Sequence, residues 1–460
     1  MSSHTHCRLL FASDSRLFVA AVIFMAAGAA GCSPSGDDHA GNARAWAGSG
    51  TNAVSRPVAG AGVAAVTGLR PDGTLETVAF DLATGARLWS HPATMVGRPA
   101  GMGVQPPAIA GPPGSGLVVA VEPPRTDRRL ATLTARDART GTERWTRPVS
   151  STLGPARCGT DVCLSEATSM KESRFVALDP ATGRARWATP GIAEVEHADP
   201  ARIVLFRMTR RPSLEARHPR TGKALWKFPV DRALGRGVSF AGGWTFGVAP
   251  ADDVLVGHMA PYKPRKRGRL SPYGFFGLRL SDGKPLWTRE RMVRVYPSAN
   301  PAVALFARSF TGRGGAGGFE RIDPLTGRTM TTLPADRAPK PPWKLSFPPD
   351  LSTLGFVVQD RPGPAYRLRD GAKVTGGGTR GWTFCDLNPP PLKITGQRGF
   401  YPVASLCAYD ISTGRRVTSP GAPPAWYTGS SGGWRVWRDE RGALHGIHDT
   451  EGSAPGMYGM

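Results

Sequence analysis

The chain has 460 residues, 40% of them hydrophobic and 20% charged. That balance buries a sizeable core and excludes a disordered chain or a multi-spanning membrane protein. Lys and Arg number 58 against 35 Asp and Glu, a net charge of +23 that favours anionic surfaces such as headgroups or wall polymers.

The first sixteen residues are polar and carry Arg8 and Arg16, and Leu17 to Ala30 form an apolar run. Fourteen such residues make about 21 Å of helix, short of a ~30 Å hydrocarbon core. A basic start, a short apolar stretch and small residues after it read as a secretory signal over residues 1–31. The run ends Ala29, Ala30, Gly31, Cys32, which resembles a bacterial lipobox, with Ala29 where Leu is more usual. Lipidation at Cys32 would anchor the chain outside the cytoplasm on the cell membrane, and residues 32–54 would then be a flexible tether. The alternative is signal cleavage and secretion. One propeller-like unit is expected over residues 55–460.

Six cysteines are present. Cys7 leaves with the signal and Cys32 takes lipid, which leaves Cys158, Cys163, Cys385 and Cys407. Cys158 and Cys163 flank a tight turn, and Cys385 and Cys407 sit in neighbouring strand-like runs, so both pairs are expected as disulfides in an exported chain. A CxxxxC can also be half a zinc site, but no second Cys/His pair at zinc spacing lies nearby.

From residue 79 onward a phrase recurs. It reads AFDLATGARLW at Ala79–Trp89, ARDARTGTERW at Ala135–Trp145 and ALDPATGRARW at Ala177–Trp187. Further copies are ARHPRTGKALW at Ala216–Trp226 and GLRLSDGKPLW at Gly277–Trp287. Weaker copies begin at Arg321, Ala365 and Ala408, with Thr331, Thr375 and Thr418 in the Trp position. The turn glycines are Gly85, Gly141, Gly183, Gly222, Gly283, Gly327, Gly371 and Gly414, mostly about forty residues apart, which is propeller spacing. Asp four before the Gly, present in five of the eight copies, starts the turn, Gly supplies positive φ, and the small residue six before it lets neighbouring sheets approach. The Trp four after it (Trp89, Trp145, Trp187, Trp226, Trp287) packs on the adjacent blade. Upstream runs at residues 116–121, 201–206, 302–306 and 354–358 are further strands. The pattern predicts an all-β propeller of about eight four-stranded blades, with seven or nine as alternatives. A C-terminal hairpin around 433–447, with a faint ninth phrase from Gly446 to Gly452, is expected to close the ring on the first blade. The fifth repeat carries an insertion holding the one dense basic run, Lys263 to Arg269, which reads as a solvated loop.

The phrase resembles the tryptophan-docking repeat of PQQ-type quinoprotein β-propellers. That group also includes the propeller lipoprotein of outer-membrane β-barrel assembly and actinobacterial envelope lipoproteins. The resemblance implies either a non-catalytic envelope scaffold or a PQQ- and Ca²⁺-dependent dehydrogenase; a ligand-sensing domain is the third reading. The enzymes use an adjacent Cys-Cys pair, absent from this sequence, and many acidic residues here sit at turn starts, such as Asp81, Asp137, Asp179, Asp323 and Asp410. No catalytic or metal residue is nominated, and neither PQQ nor Ca²⁺ is expected. The expected role is a monomeric binding scaffold. Its partner would be an envelope protein or an anionic wall or membrane polymer, and not nucleic acid, for which no motif is present. Trp244, Trp343, Trp382 and Trp426 are candidate anchors at the ring mouths.

Overall fold

The computed structural model describes residues 45–448 apart from 49, 112–113, 126–129, 250–251, 264–268, 295–304, 311–315, 334–343, 347–352, 359–360, 375–379, 386–388, 412, 414, 418–422 and 424–426. The phrase turns come first, because they generate the sheets. Asp81 Oδ1 accepts from the backbone N–H groups of Ala83 and Thr84, and Gly85 N–H closes back on the Asp81 carbonyl at 2.8 Å with φ +70°. The same turn recurs at Asp137, Asp179 and Asp323. Each turn reverses the chain with a one-residue bulge, and the outgoing strand becomes the outer edge of its sheet.

The described residues form nine antiparallel sheets: seven of four strands, one of three and one of two. Sheet 1 holds Val58–Gly60, Val63–Leu69, Leu75–Asp81 and Arg87–Ala93. Sheets 2 to 6 repeat that order, starting at Ala108–Ala110, Ser151–Cys158, Ala193–Ala198, Trp244–Ala249 and Met292–Arg294. Lys344–Ser346 opens the three-stranded sheet 7, and Arg380–Phe384 with Leu406–Asp410 make the two-stranded sheet 8. First strands of successive sheets 1 to 5 abut one another around an axis, so the architecture is a β-propeller. Middle strands such as Val63–Leu69 and Ile203–Arg207 are covered on both faces and are almost continuously apolar. Outer strands such as Ala185–Pro190 alternate buried and exposed.

The ninth sheet closes the ring, and it corrects the expected tether. Gly429–Ser431, Trp434–Arg438 and Leu444–His448 take Ala45–Gly48 as their outer strand, in antiparallel register with Trp46 opposite Gly446. Residues 45–48, read from sequence as part of a flexible stretch to 54, are therefore a propeller strand. Ala53 and Val54 behind it are buried.

Trp46 is also a docking tryptophan. Its Nε1–H donates to the Leu82 carbonyl at 2.9 Å, and a Cβ placed on Gly85 would lie 2.4 Å from its ring. Trp89 makes the same pair of contacts with Ala138 and Gly141, and Trp145 with Pro180 and Gly183. Trp187 does so with Pro219 and Gly222, Trp226 with Leu280 and Gly283, and Trp287 with Pro324 and Gly327. The small residue of the phrase has a different reason from the one expected: it faces the Trp across its own sheet, as Ala79 faces Trp89 and Gly277 faces Trp287. Where the Trp is lost at Thr331, the small residue is lost too, and Arg321 stands opposite. The Thr331 hydroxyl bonds the Arg369 carbonyl at 3.2 Å, a thinner link between sheets 6 and 7. Thr375 and Thr418 lie outside the described residues.

Both disulfides form, with Cα separations of 5.8 Å for Cys158–Cys163 and 5.2 Å for Cys385–Cys407. The second closes the base of an excursion between the two strands of sheet 8. Its described part returns across the seam of the ring and lies on sheet 1 and the connector after it. Thr395 N–H bonds the Gly73 carbonyl, and Gly101 N–H and Val104 N–H bond the carbonyls of Gly399 and Tyr401. Val403 N–H bonds the Val54 carbonyl, and Ile394 and Phe400 share an apolar cluster with Val54, Leu75, Met95 and Val104. We call this segment the strap. On the chain-entropy account its disulfide contributes about 3 kcal/mol.

Trp46→Ala is expected to lower thermal stability by about as much as Trp89→Ala, each on the order of 3 kcal/mol. Trp46→Phe keeps the ring but not the N–H bond, a loss of about 1 kcal/mol. Melting curves of the three variants check this; an unchanged Trp46→Ala curve would mean that the first strand does not fasten the ring.

Candidate buried carboxyl pair at the connector-face mouth

Strands alternate in direction, so the loops fall on two faces. The phrase turns lie on one. The second-to-third loops and the sheet-to-sheet connectors lie on the other, here the connector face, where every first strand begins. Four groups meet there.

Ala193–Ala198 opens sheet 4. The Ser165 hydroxyl pins its start, accepting from Ala193 N–H at 2.9 Å and donating to the Ala193 carbonyl at 2.7 Å. Ala193 and Val195 pack toward Cys158, Cys163, Phe175 and Trp187 of sheet 3. Alternation therefore turns Glu194 and Glu196 the other way, toward sheet 5. There Trp244 opens the first strand, its ring 5.1 Å from Phe206. The register slips by one residue between Val195 and His197, so Glu196 is the extra residue of a β-bulge. Glu194 and Trp244 are half-buried; Glu196 is 9% exposed, and its Oε1 has no hydrogen-bond partner among the described residues.

Arg98 comes from the connector between sheets 1 and 2. Its guanidinium donates to the Gly103 carbonyl at 3.0 Å and to Gln105 Oε1, and Gln105 Nε2 donates in turn to the Pro155 carbonyl of sheet 3 at 3.1 Å. The strap holds this connector through the bonds to Gly101 and Val104 and through Gln397, which accepts from Met95 N–H at 2.8 Å. Burial lowers the Arg98 pKa to about 10.

Burial raises the pKa of Glu194, against the attraction of Arg98 and Arg56. Burial and then the Glu194 charge push Glu196 well above the usual carboxyl range, offset in part by Trp244. Both carboxyls are held toward the protonated form, so the pair can hold or exchange a proton or face a cation. The sequence reading nominated neither residue.

The remaining candidates scatter. Trp382 is buried in the sheet 8 core with Leu406, Ala408 and Tyr427; Trp343, Trp426 and Cys32 lie outside the described residues. So does most of the basic run, although its base is pinned by reciprocal bonds between Tyr262 and Ser271. His258 is buried beside Phe275, accepts from Arg294 N–H at 3.2 Å, and has its pKa lowered to about 3 by burial and Arg294, so it stays neutral. Cys385, Cys407 and Glu440 are the one cluster of candidate metal ligands among the described residues, and its sulfurs are joined to each other. Calcium seeks six to eight oxygens, several of them ionised. Two carboxyls held toward the protonated form, with Arg98 and Arg56 attracting Glu194, fall short of that oxygen set.

A family model described as outer membrane protein assembly factor BamB matches residues 37–189, which take in the closing strand and sheets 1 to 3. Among solved structures, BamB from Moraxella catarrhalis is similar at 13% identity and a TM-score of 0.46, over 88% of this chain and 98% of that one. A quinohemoprotein alcohol dehydrogenase from Pseudomonas putida is similar at 12% identity and a TM-score of 0.37, over 89% and 76%. A search of the curated proteins finds no match. The repeat is PQQ-like in kind.

A carboxyl with a raised folded pKa contributes stability that is full below its unfolded value of about 4.5 and lost as pH rises through the folded one. His258 has the opposite sign, its contribution fading as pH falls from about 6.5 toward 3. Comparing Glu196→Gln with the parent cancels His258. The melting temperature of Glu196→Gln relative to the parent should climb as pH rises above about 4.5; a flat difference would mean that Glu196 titrates normally.

Proposed function

We propose that this propeller is an exported, lipid-anchored envelope protein that acts as a non-catalytic scaffold. Its connector face grips a protein or an anionic wall or membrane polymer. The observation that carries the reading is the exposed apolar set on that face: Met170, Leu270 and Tyr401 project from three different loops. Exposed apolar anchors on rigidly held loops are how a scaffold grips a partner. The family name over residues 37–189, an assembly factor, points the same way. The charge of +23 suits an anionic surface, and Cys32 with its preceding small residues supplies the anchor.

The Glu194–Glu196 pair favours a second reading, a ligand sensor or an enzyme, since buried coupled carboxyls gather at functional sites.

Cys32→Ser is expected to move the protein from the membrane to the soluble fraction. A photocrosslinking residue at Tyr401 or Leu270 is expected to give adducts in intact cells, whereas one at Leu225, on an outer strand, gives none. Equal yields from all three positions would remove the connector face as the contact. Turnover of alcohols or sugars by the purified chain with PQQ and Ca²⁺ would overturn the scaffold.

A further inference from the structure

The mouth holds an acid that the ring does not neutralise. Glu194 faces Arg98 and Arg56, but Glu196, two residues deeper on the same side of the strand, faces Glu194 and the Trp244 side chain. Its Oε1 has no hydrogen-bond partner among the described residues, and the residue is only 9% exposed. A buried carboxyl oxygen left unpaired is destabilising. The bulge keeps it there, because Glu196 is the inserted residue between two regular pairs.

The geometry points to a binding site for an organic cation, an alkylammonium or guanidinium group, between Glu194, Glu196 and Trp244. An ammonium has three donors and no acceptor, and the carboxyl oxygens supply the complement. The Trp244 side chain hydrogen-bonds the pair from the next sheet. Arg98 attracts Glu194 electrostatically, whereas the charge acting on Glu196 is the like charge of Glu194, so Glu196 is the member that a second cation would serve. Glu194 and Trp244 are half-buried, so this end of the strand reaches solvent. Burial holds both carboxyls toward the protonated form, so a cation that enters between them displaces a proton to solvent. Affinity therefore rises with pH. The charged groups facing the pair are Arg98, from the connector, and Arg56, before the first strand of sheet 1.

The cation can be a free amine or a basic side chain of a protein partner, and the test separates them. Calorimetry of the whole mature chain with n-butylammonium chloride, and separately with an acetylated, amidated Gly-Lys-Gly peptide, is run at pH 6 and pH 8 in buffers of different ionisation enthalpy. Binding that tightens from pH 6 to pH 8, with proton release, is expected from the linkage. Saturable binding of butylammonium assigns the site to small amines; binding of the peptide alone assigns it to a partner's side chain. Glu196→Gln, which keeps the shape of the side chain, is expected to abolish binding, and Glu194→Gln to weaken it, with melting curves confirming that both fold. Arg98→Gln is expected to tighten binding by removing the competing cation. No binding of either probe at pH 8, or binding unchanged in a folded Glu196→Gln, overturns the site.

Discussion

The structure depends on one contact made six times: an indole laid over the turn glycine of the next sheet, with its N–H on the carbonyl two residues beyond the phrase's small residue's neighbour, as Trp46 does with Leu82 and Trp226 with Leu280. The glycine is required twice over. Its φ near +70° suits a residue without a side chain, and any Cβ would collide with the indole. The ring therefore propagates by fitting each sheet to the one before, and the opposing small residue clears the space in which the indole stands.

A ring made by propagation must still be fastened. Here two devices fasten it at the same seam. Ala45–Gly48 completes the last sheet and docks on the first, and the strap, clipped by Cys385–Cys407, ties sheet 8 to sheet 1 and its connector. The strap also positions function. It holds the connector that carries Arg98, and Arg98 sets the charge environment of Glu194. Seam, connector and buried carboxyl pair are thus one mechanical unit, while the phrase turns on the opposite face serve the fold.

Much of the fold was legible because the phrase is local: turn acid, turn glycine and docking Trp lie within eleven residues. The disulfides were legible for the same reason, since each pair brackets one turn or one repeat. The closing strand was not. Trp46 sits alone in a stretch rich in Ala, Gly and Ser, and its partner is Gly446, four hundred residues away. A signal existed, because the faint phrase ending at Gly452 has Gly456 where its Trp should stand, so that sheet had to borrow a Trp from elsewhere. The site was less visible still. Glu194 and Glu196 are two acids in an unremarked strand of alternating residues. What makes them matter is a bulge, Trp244 from the next sheet and Arg98 from a connector nearly a hundred residues earlier, none of which a local pattern records.

Hydrogen exchange on the mature, unmodified chain tests the central claim, a ring fastened by its own first strand and by the strap. The account predicts that the amides of Ala45–Gly48 are as protected as those of Leu444–His448, and that the amides of Gly101, Val104 and Thr395, which bond across the strap, are slowed along with them. Fast exchange in Ala45–Gly48 beside a protected Leu444–His448 would contradict it, leaving an open ring whose mouth is not held in one geometry.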